Sequence, residues 1–166
     1  MVALIFIACF TGLLLWAAAR DVATMEIPNR ISVLAVALYP FAAFACGIGW
    51  QDIAIHLGIG FGAFVICWAL FCIGVFGGGD AKLLAAATVW TGLSEALPTL
   101  LLWTCIAGGL LAAIALISRK HFKPDAGRPA FVNRFLGETG VPYAVAIAAG
   151  GIAAAQHLPI LHAAGV

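Results

Sequence analysis

The chain has 166 residues, of which 64% are hydrophobic and only 9% charged. A soluble domain carries roughly 25% charged residues, so this composition excludes one and defines an integral membrane protein. The net charge of +1 gives no sign of a nucleic-acid partner, and the information lies in where the charges fall.

Apolar stretches of about 20 residues mark membrane helices. The first covers about residues 2–19. Its end, Ala17-Ala18-Ala19, resembles a signal-peptide cleavage site, but the positive charge, Arg20, follows the apolar run instead of preceding it. An uncleaved first span is therefore expected. Further spans are predicted at about 31–49, 53–76, 97–117 and 142–163. The stretch from Asp80 to about residue 93 is short, reaching roughly 20 Å at 1.5 Å per residue. Either it continues through Ser94 and Glu95, or the Gly77-Gly78-Gly79 turn before it dips below the lipid headgroups. The predicted fold is all-α, a polytopic membrane helix bundle of about six transmembrane helices. Nearly the whole length is used by spans and their connections, so residues 1–166 read as a single domain.

Small residues suit close helix packing in lipid. Gly58-x-x-x-Gly62 lies in the third span, and 144–155 is dense in Ala and Gly; both are predicted to pack within the bundle. Cys9, Cys46, Cys67, Cys72 and Cys105 all lie in apolar runs and form no C-x-x-C pair, so they read as small buried hydrophobes. His56, His157 and His162 fall near one face and His121 in the last loop, with no spacing suited to a metal. No metal or cofactor is expected.

The eight basic residues sort by loop. Arg20 and Arg30 flank the first loop, Lys82 adjoins the third, and Arg119, Lys120, Lys123, Arg128 and Arg134 fill the fifth. The second and fourth loops carry Asp52 and Glu95 and no cation. Basic loops mark the cytoplasmic side, which predicts both termini on the non-cytoplasmic side. The fifth loop, 118–141, is expected to be partly irregular or to lie on anionic headgroups, so lipid is a partner. The same rule brings Asp21 and Asp80, at the ends of different spans, to one face.

Carboxylates in so apolar a chain are functional candidates. Two of them facing each other can share a proton, one acting as base and the other as acid, and so activate water directly. Asp21 lies at the negative C-terminal end of its span and Asp80 at a positive N-terminal end, which predicts the shared proton mostly on Asp21. The glycines before Asp80 would let a substrate backbone approach. Taken singly, Asp80 can serve as a helix N-cap and Asp21 can be merely solvated.

These residues resemble the type IV prepilin peptidases, membrane aspartic proteases of the GxGD class. Gly77, Gly79, Asp80 and Lys82 look like the G-x-G-D-x-K signature. Asp21, Thr24, Ile27, Pro28 and Asn29 match the motif of Asp, Thr and I-P-N. Gly140-Val141-Pro142-Tyr143-Ala144 is similar to a third motif, P-Y-G-x-A, with Ala144 where Gly is usual. The resemblance implies Asp21 and Asp80 as the catalytic pair, with prepilins and pseudopilins as substrates. Their short basic leader would be cut from the following hydrophobic helix at the cytoplasmic face of a bacterial inner membrane, beside the pilus assembly machinery. Larger members carry paired C-x-x-C motifs associated with N-methylation. This chain looks like the short form of Flp-type (tight-adherence) pilus systems, with no methyltransferase activity expected.

Plainer roles stand beside the supporting residues. Lys82 does not share a helical face with Asp80 and can snorkel to the headgroups. Asn29 is suited to cap the second span and Pro28 to enter it. Tyr143 fits either an interfacial anchor or a hydrogen bond near the pair, and Glu26 a solvated loop acid. A presenilin-type protease is disfavoured, because Asp21 follows Arg20 and not Tyr and a Pro-Ala-Leu motif is missing. The alternative from another class is a small membrane transporter or a non-catalytic scaffold subunit of an envelope complex. A transporter's acids belong near mid-membrane in broken helices.

Overall fold

The fold was obtained as a computed structural model that describes residues 1–123, 125, 127, 129–137 and 140–164. Arg128 of the basic fifth loop lies outside the described residues. The helices are α1 (Val2–Thr24), α2 (Asn29–Ala45), α3 (Trp50–Cys72), α4 (Gly78–Thr91), α5 (Ala96–His121), α6 (Ala130–Leu136), α7 (Ala144–Ala154) and α8 (Pro159–Ala163). A 3-10 turn, Ala155–His157, joins the last two. No strand occurs among the described residues, and the all-helical expectation holds.

Four segments are long and apolar enough to cross a membrane: Val2–Thr24, Trp50–Cys72, Ala96–His121 and Ala144–Ala163. The apolar α2 is shorter, at 17 residues, and α4 has only 14. The shortness of α4 has a local cause at each end. Gly77 holds extended backbone angles ahead of the first turn, and Gly92 closes the helix at φ 55°. The extension through Ser94 and Glu95 does not occur: α4 ends at Thr91, and α5 begins at Ala96.

Although short, α4 is the centre of the bundle. Its Ala81 and Leu83 and every residue from Ala85 to Thr91 are buried, and α2, α3 and α7 pack around it. Trp90 is fully enclosed, stacked on Phe10 at 4.4 Å between centroids and edge-on to Tyr39 at 5.6 Å. Its indole N–H donates to the Ala35 carbonyl at 2.9 Å, so the ring is buried with its polar atom satisfied. By contrast, α3 buries only Gly60 and Cys67 and turns the rest of its apolar surface outward, as a lipid-facing helix should.

Small residues do set the closest approaches, but not all where expected. Gly150 and Gly151 lie against Thr104 and Leu14, which brings α7 tight onto α5 and α1. Gly58 and Gly62 have open space beside them; Gly60, between them, is the residue pressed against Val89 of α4. The pair has the wrong phase because α3 turns that stripe outward. All five cysteines are free, with Cys46 and Cys67 buried as expected. Cys9, Cys72 and Cys105 are exposed on the flanks of the bundle: an apolar run identifies a span but not which of its faces meets lipid.

The described part of the fifth loop carries regular structure. It contains α6, and the guanidinium of Arg119 donates to the carbonyls of Phe135 and Gly140. Arg134 on α6 donates to the Ala23 carbonyl at the end of α1. Cations at helix C-termini meet carbonyls that have no intrahelical partner, and this ties α6 to the ends of α5 and α1.

Candidate active site

Asp21 ends a buried stripe of α1. Ala3, Ile7, Phe10, Leu14, Ala17 and Ala18 face the core, and one more turn along that face puts the Asp21 side chain inside too, with only 6% of its surface exposed. The helix then stops abruptly. Met25 adopts a left-handed conformation, φ 55°, and its N–H donates to the Asp21 carbonyl at 2.7 Å. This turns the chain into Glu26-Ile27-Pro28 and back up α2.

Asp80 arrives from the other side, in the first turn of α4. The expected N-cap role is not observed: Gly77 is the cap residue and no side chain caps this helix. The two acids line one cavity of about 540 Å³, whose wall consists of residues 25–29 and 77–80 together with Asp21. Glu26 stands exposed at its rim.

The glycines line the cavity and also make room within the site itself. A side chain on Gly77 would collide with the Asp80 carboxylate, and a Cβ on Gly79 would sit 3.1 Å from the Cβ of Ile27. They let the Asp80 carboxylate fold back over its own turn and let the Ile27-Pro28-Asn29 segment close onto that turn. Two distant stretches of chain thereby make one cavity.

The carboxylates differ in their hydrogen bonding. Asp21 Oδ2 accepts the backbone N–H of Ala144 at 2.9 Å. Ala144 opens α7, so Asp21 sits at the negative end of one helix and the positive end of another. Asp80 Oδ1 is buried with no hydrogen-bond partner. A hydrogen bond to a carboxylate supports its charged form, whereas burial without a partner opposes it. The contacts are thus asymmetric, and the expectation drawn from α1 and α4 alone lacked one contribution. The N-terminus of α7 is the missing contribution.

Asp21, Asp80, Gly77, Gly79, Pro28 and Asn29 come together as expected. Thr24, Lys82 and Tyr143 lie outside the cavity wall. The Thr24 hydroxyl donates to the Arg20 carbonyl at 2.8 Å. Asn29 does not cap α2; Pro28 holds that position. The Asn29 Oδ1 instead accepts from the Lys82 ammonium at 2.9 Å, tying α2 to α4 beside the cavity. Tyr143 packs edge-on to Phe76 at 5.6 Å and over Gly108. The residue that sequence reasoning missed is Ala144: its contribution is a backbone N–H, which residue type does not signal. Among the described residues, no group of three or more His, Cys, Asp or Glu could hold a metal ion.

Fold and site together define a helical membrane protein with two carboxylates converging on one cavity at an end of the bundle. The sequence profile of the type IV leader peptidase family matches residues 6–113, well over half of the chain and including both aspartates. The chain belongs to that family. Membership indicates a peptidase of prepilin leaders and a multi-pass membrane protein. No curated protein and no solved structure matches the chain.

Proposed function

We propose that this protein is an aspartic endopeptidase that cleaves the short basic leader of Flp-type prepilins at the cytoplasmic face of a bacterial inner membrane. The observation that carries this reading is the shared cavity of Asp21 and Asp80, assembled from α1 and α4 by the closure of residues 25–29 onto Gly79. The basic residues support its orientation. Lys82 and Asn29 flank the cavity, while Arg119 and Arg134 hold the neighbouring loop, so this end faces the cytoplasm under the positive-inside rule. With six crossings, including the short α4, both termini lie on the other side.

In the reaction, charged Asp21 removes a proton from water as its oxygen attacks the scissile carbonyl carbon. Protonated Asp80 gives its proton to the carbonyl oxygen. The tetrahedral diol that results is neutral and needs no covalent bond to the enzyme. As it collapses, the C–N bond breaks, Asp21 passes its proton to the leaving nitrogen, and a hydroxyl proton returns to Asp80. Both groups finish as they began.

The test is cleavage of a coexpressed Flp-type prepilin in membranes, with a metal chelator present. The wild type should shorten it, and Asp21→Asn and Asp80→Asn should insert normally and not shorten it. Cleavage that survives both substitutions would make the acids structural and favour a transporter or scaffold.

A further inference from the structure

A second concavity adjoins the first. It is an apolar trough of about 630 Å³ between α2, α3 and α4. Both α2 and α3 pack on α4 but touch each other little, so the trough opens sideways, toward lipid, with α4 as its floor. Its lining recurs at three- and four-residue intervals on all three helices, as at 82, 85, 86 and 89 on α4. From Lys82 to Val89 it runs roughly 10 Å, about two helical turns. Asn29 lines both this trough and the carboxylate cavity, so the two adjoin at that residue.

We infer that the trough receives an apolar helical segment of the substrate, the stretch that continues into the bilayer from the bond cut at Asp21 and Asp80. This rests on the proposal that those aspartates are the catalytic pair. Three observations select this occupant. The trough adjoins the carboxylate cavity at Asn29, which puts it next to a chain lying across the carboxylates. Three parallel stripes of helical spacing form a channel that a fourth helix fills by ridge-and-groove packing. Ser32, only 6% exposed and lining the trough, has a hydroxyl with no hydrogen-bond partner. A helix that starts at the cut bond brings free backbone N–H donors in its first turn, which a hydroxyl oxygen can accept, whereas a lipid acyl chain brings none.

The experiment uses the full chain in membranes with a Flp-type prepilin. Val33→Trp and Ala37→Trp place bulk in the trough from exposed positions on α2, which spares the core. Each should raise KM for the prepilin by roughly tenfold, the scale of losing a few apolar contacts in a pocket, and leave kcat unchanged. A photo-crosslinking residue at 33 or 37 should capture the prepilin, and one at Ile66, exposed on α3 outside the trough, should not. Unchanged KM, or adducts only to lipid at 33 and 37, would overturn the inference and make the trough a lipid seat. If the wild type fails to shorten the prepilin, the catalytic reading falls alone, since capture at 33 and 37 still reports on the trough.

Discussion

The two ends of this bundle both hold titratable groups beside a cavity, and they handle them in opposite ways. At the basic end, Asp80 has a buried oxygen without a partner, and the glycines around it leave room where side chains would otherwise stand. At the other end, a cavity of about 340 Å³ is lined by Asp52, His56 and Ser94. There His56 has partners: it stacks on Tyr39 at 5.0 Å between centroids, its Nδ1 lies 2.8 Å from the Val89 carbonyl, and Gly92 presses against the ring. A polar group bonded and packed in this way serves as a packing element. One left unsatisfied in a protein interior is costly and calls for a role of its own. The comparison has one counterweight, since the buried Tyr39 hydroxyl at the far end also has no partner.

Substitutions can break or sharpen that contrast. The largest effect is expected at the carboxylates: Asn at Asp21 or Asp80 should lower kcat by about three orders of magnitude, within the range for losing a general acid or base. Asp52→Asn at the opposite end should leave it unchanged. Next are the glycines. Gly79→Ala must push Ile27 or α4 by a few tenths of an ångström, and Gly77→Ala must displace the Asp80 carboxylate. Either should lower kcat by roughly tenfold to a hundredfold, the cost of a small misplacement in a catalytic site, while the protein inserts normally. Prepilin-cleavage kinetics on membrane fractions with matched expression would measure both classes.

Smaller effects separate positioning from packing. Lys82→Met and Asn29→Ala each remove the tie between α2 and α4, and each should slow cleavage by about three- to tenfold, the worth of one solvent-exposed hydrogen bond. Combined, they should lose no more than either alone. His56→Phe deletes the contact to Val89 and should lower stability by about 1 kcal/mol, seen as a reduced melting temperature in detergent with kcat preserved. The smallest change is expected from Tyr39→Phe. It removes a hydroxyl that is buried and unpaired, so stability should hold or rise slightly; a marked loss would mean that the hydroxyl has a partner after all and that the far end is fully satisfied.

Much of this architecture could be read before any coordinates. Predicted spans at about 53–76 and 97–117 correspond to Trp50–Cys72 and Ala96–His121, because long apolar runs have few alternatives in lipid. The shared end of Asp21 and Asp80 followed from eight cations confined to alternate loops. Contacts were harder to anticipate. Gly60, not Gly58 or Gly62, meets α4, since the rotation of a lipid-facing helix depends on its neighbours. The pairing of Lys82 with Asn29 crosses 53 positions of chain, and neither residue signals the other. The Ala144 N–H was invisible for a deeper reason: every residue but proline has one, so only the fold decides which becomes a ligand for Asp21. The asymmetry between the two acids rests on that one donor.

Whether the two aspartates work as one unit is tested most directly by a double-substitution cycle in the prepilin-cleavage assay, comparing Asp21→Asn, Asp80→Asn and the double variant with wild type. Groups that act together are strongly non-additive, so the double variant should cleave no more slowly than the worse single one. If the two losses multiply, or if either single variant keeps its activity, the carboxylates do not form a pair.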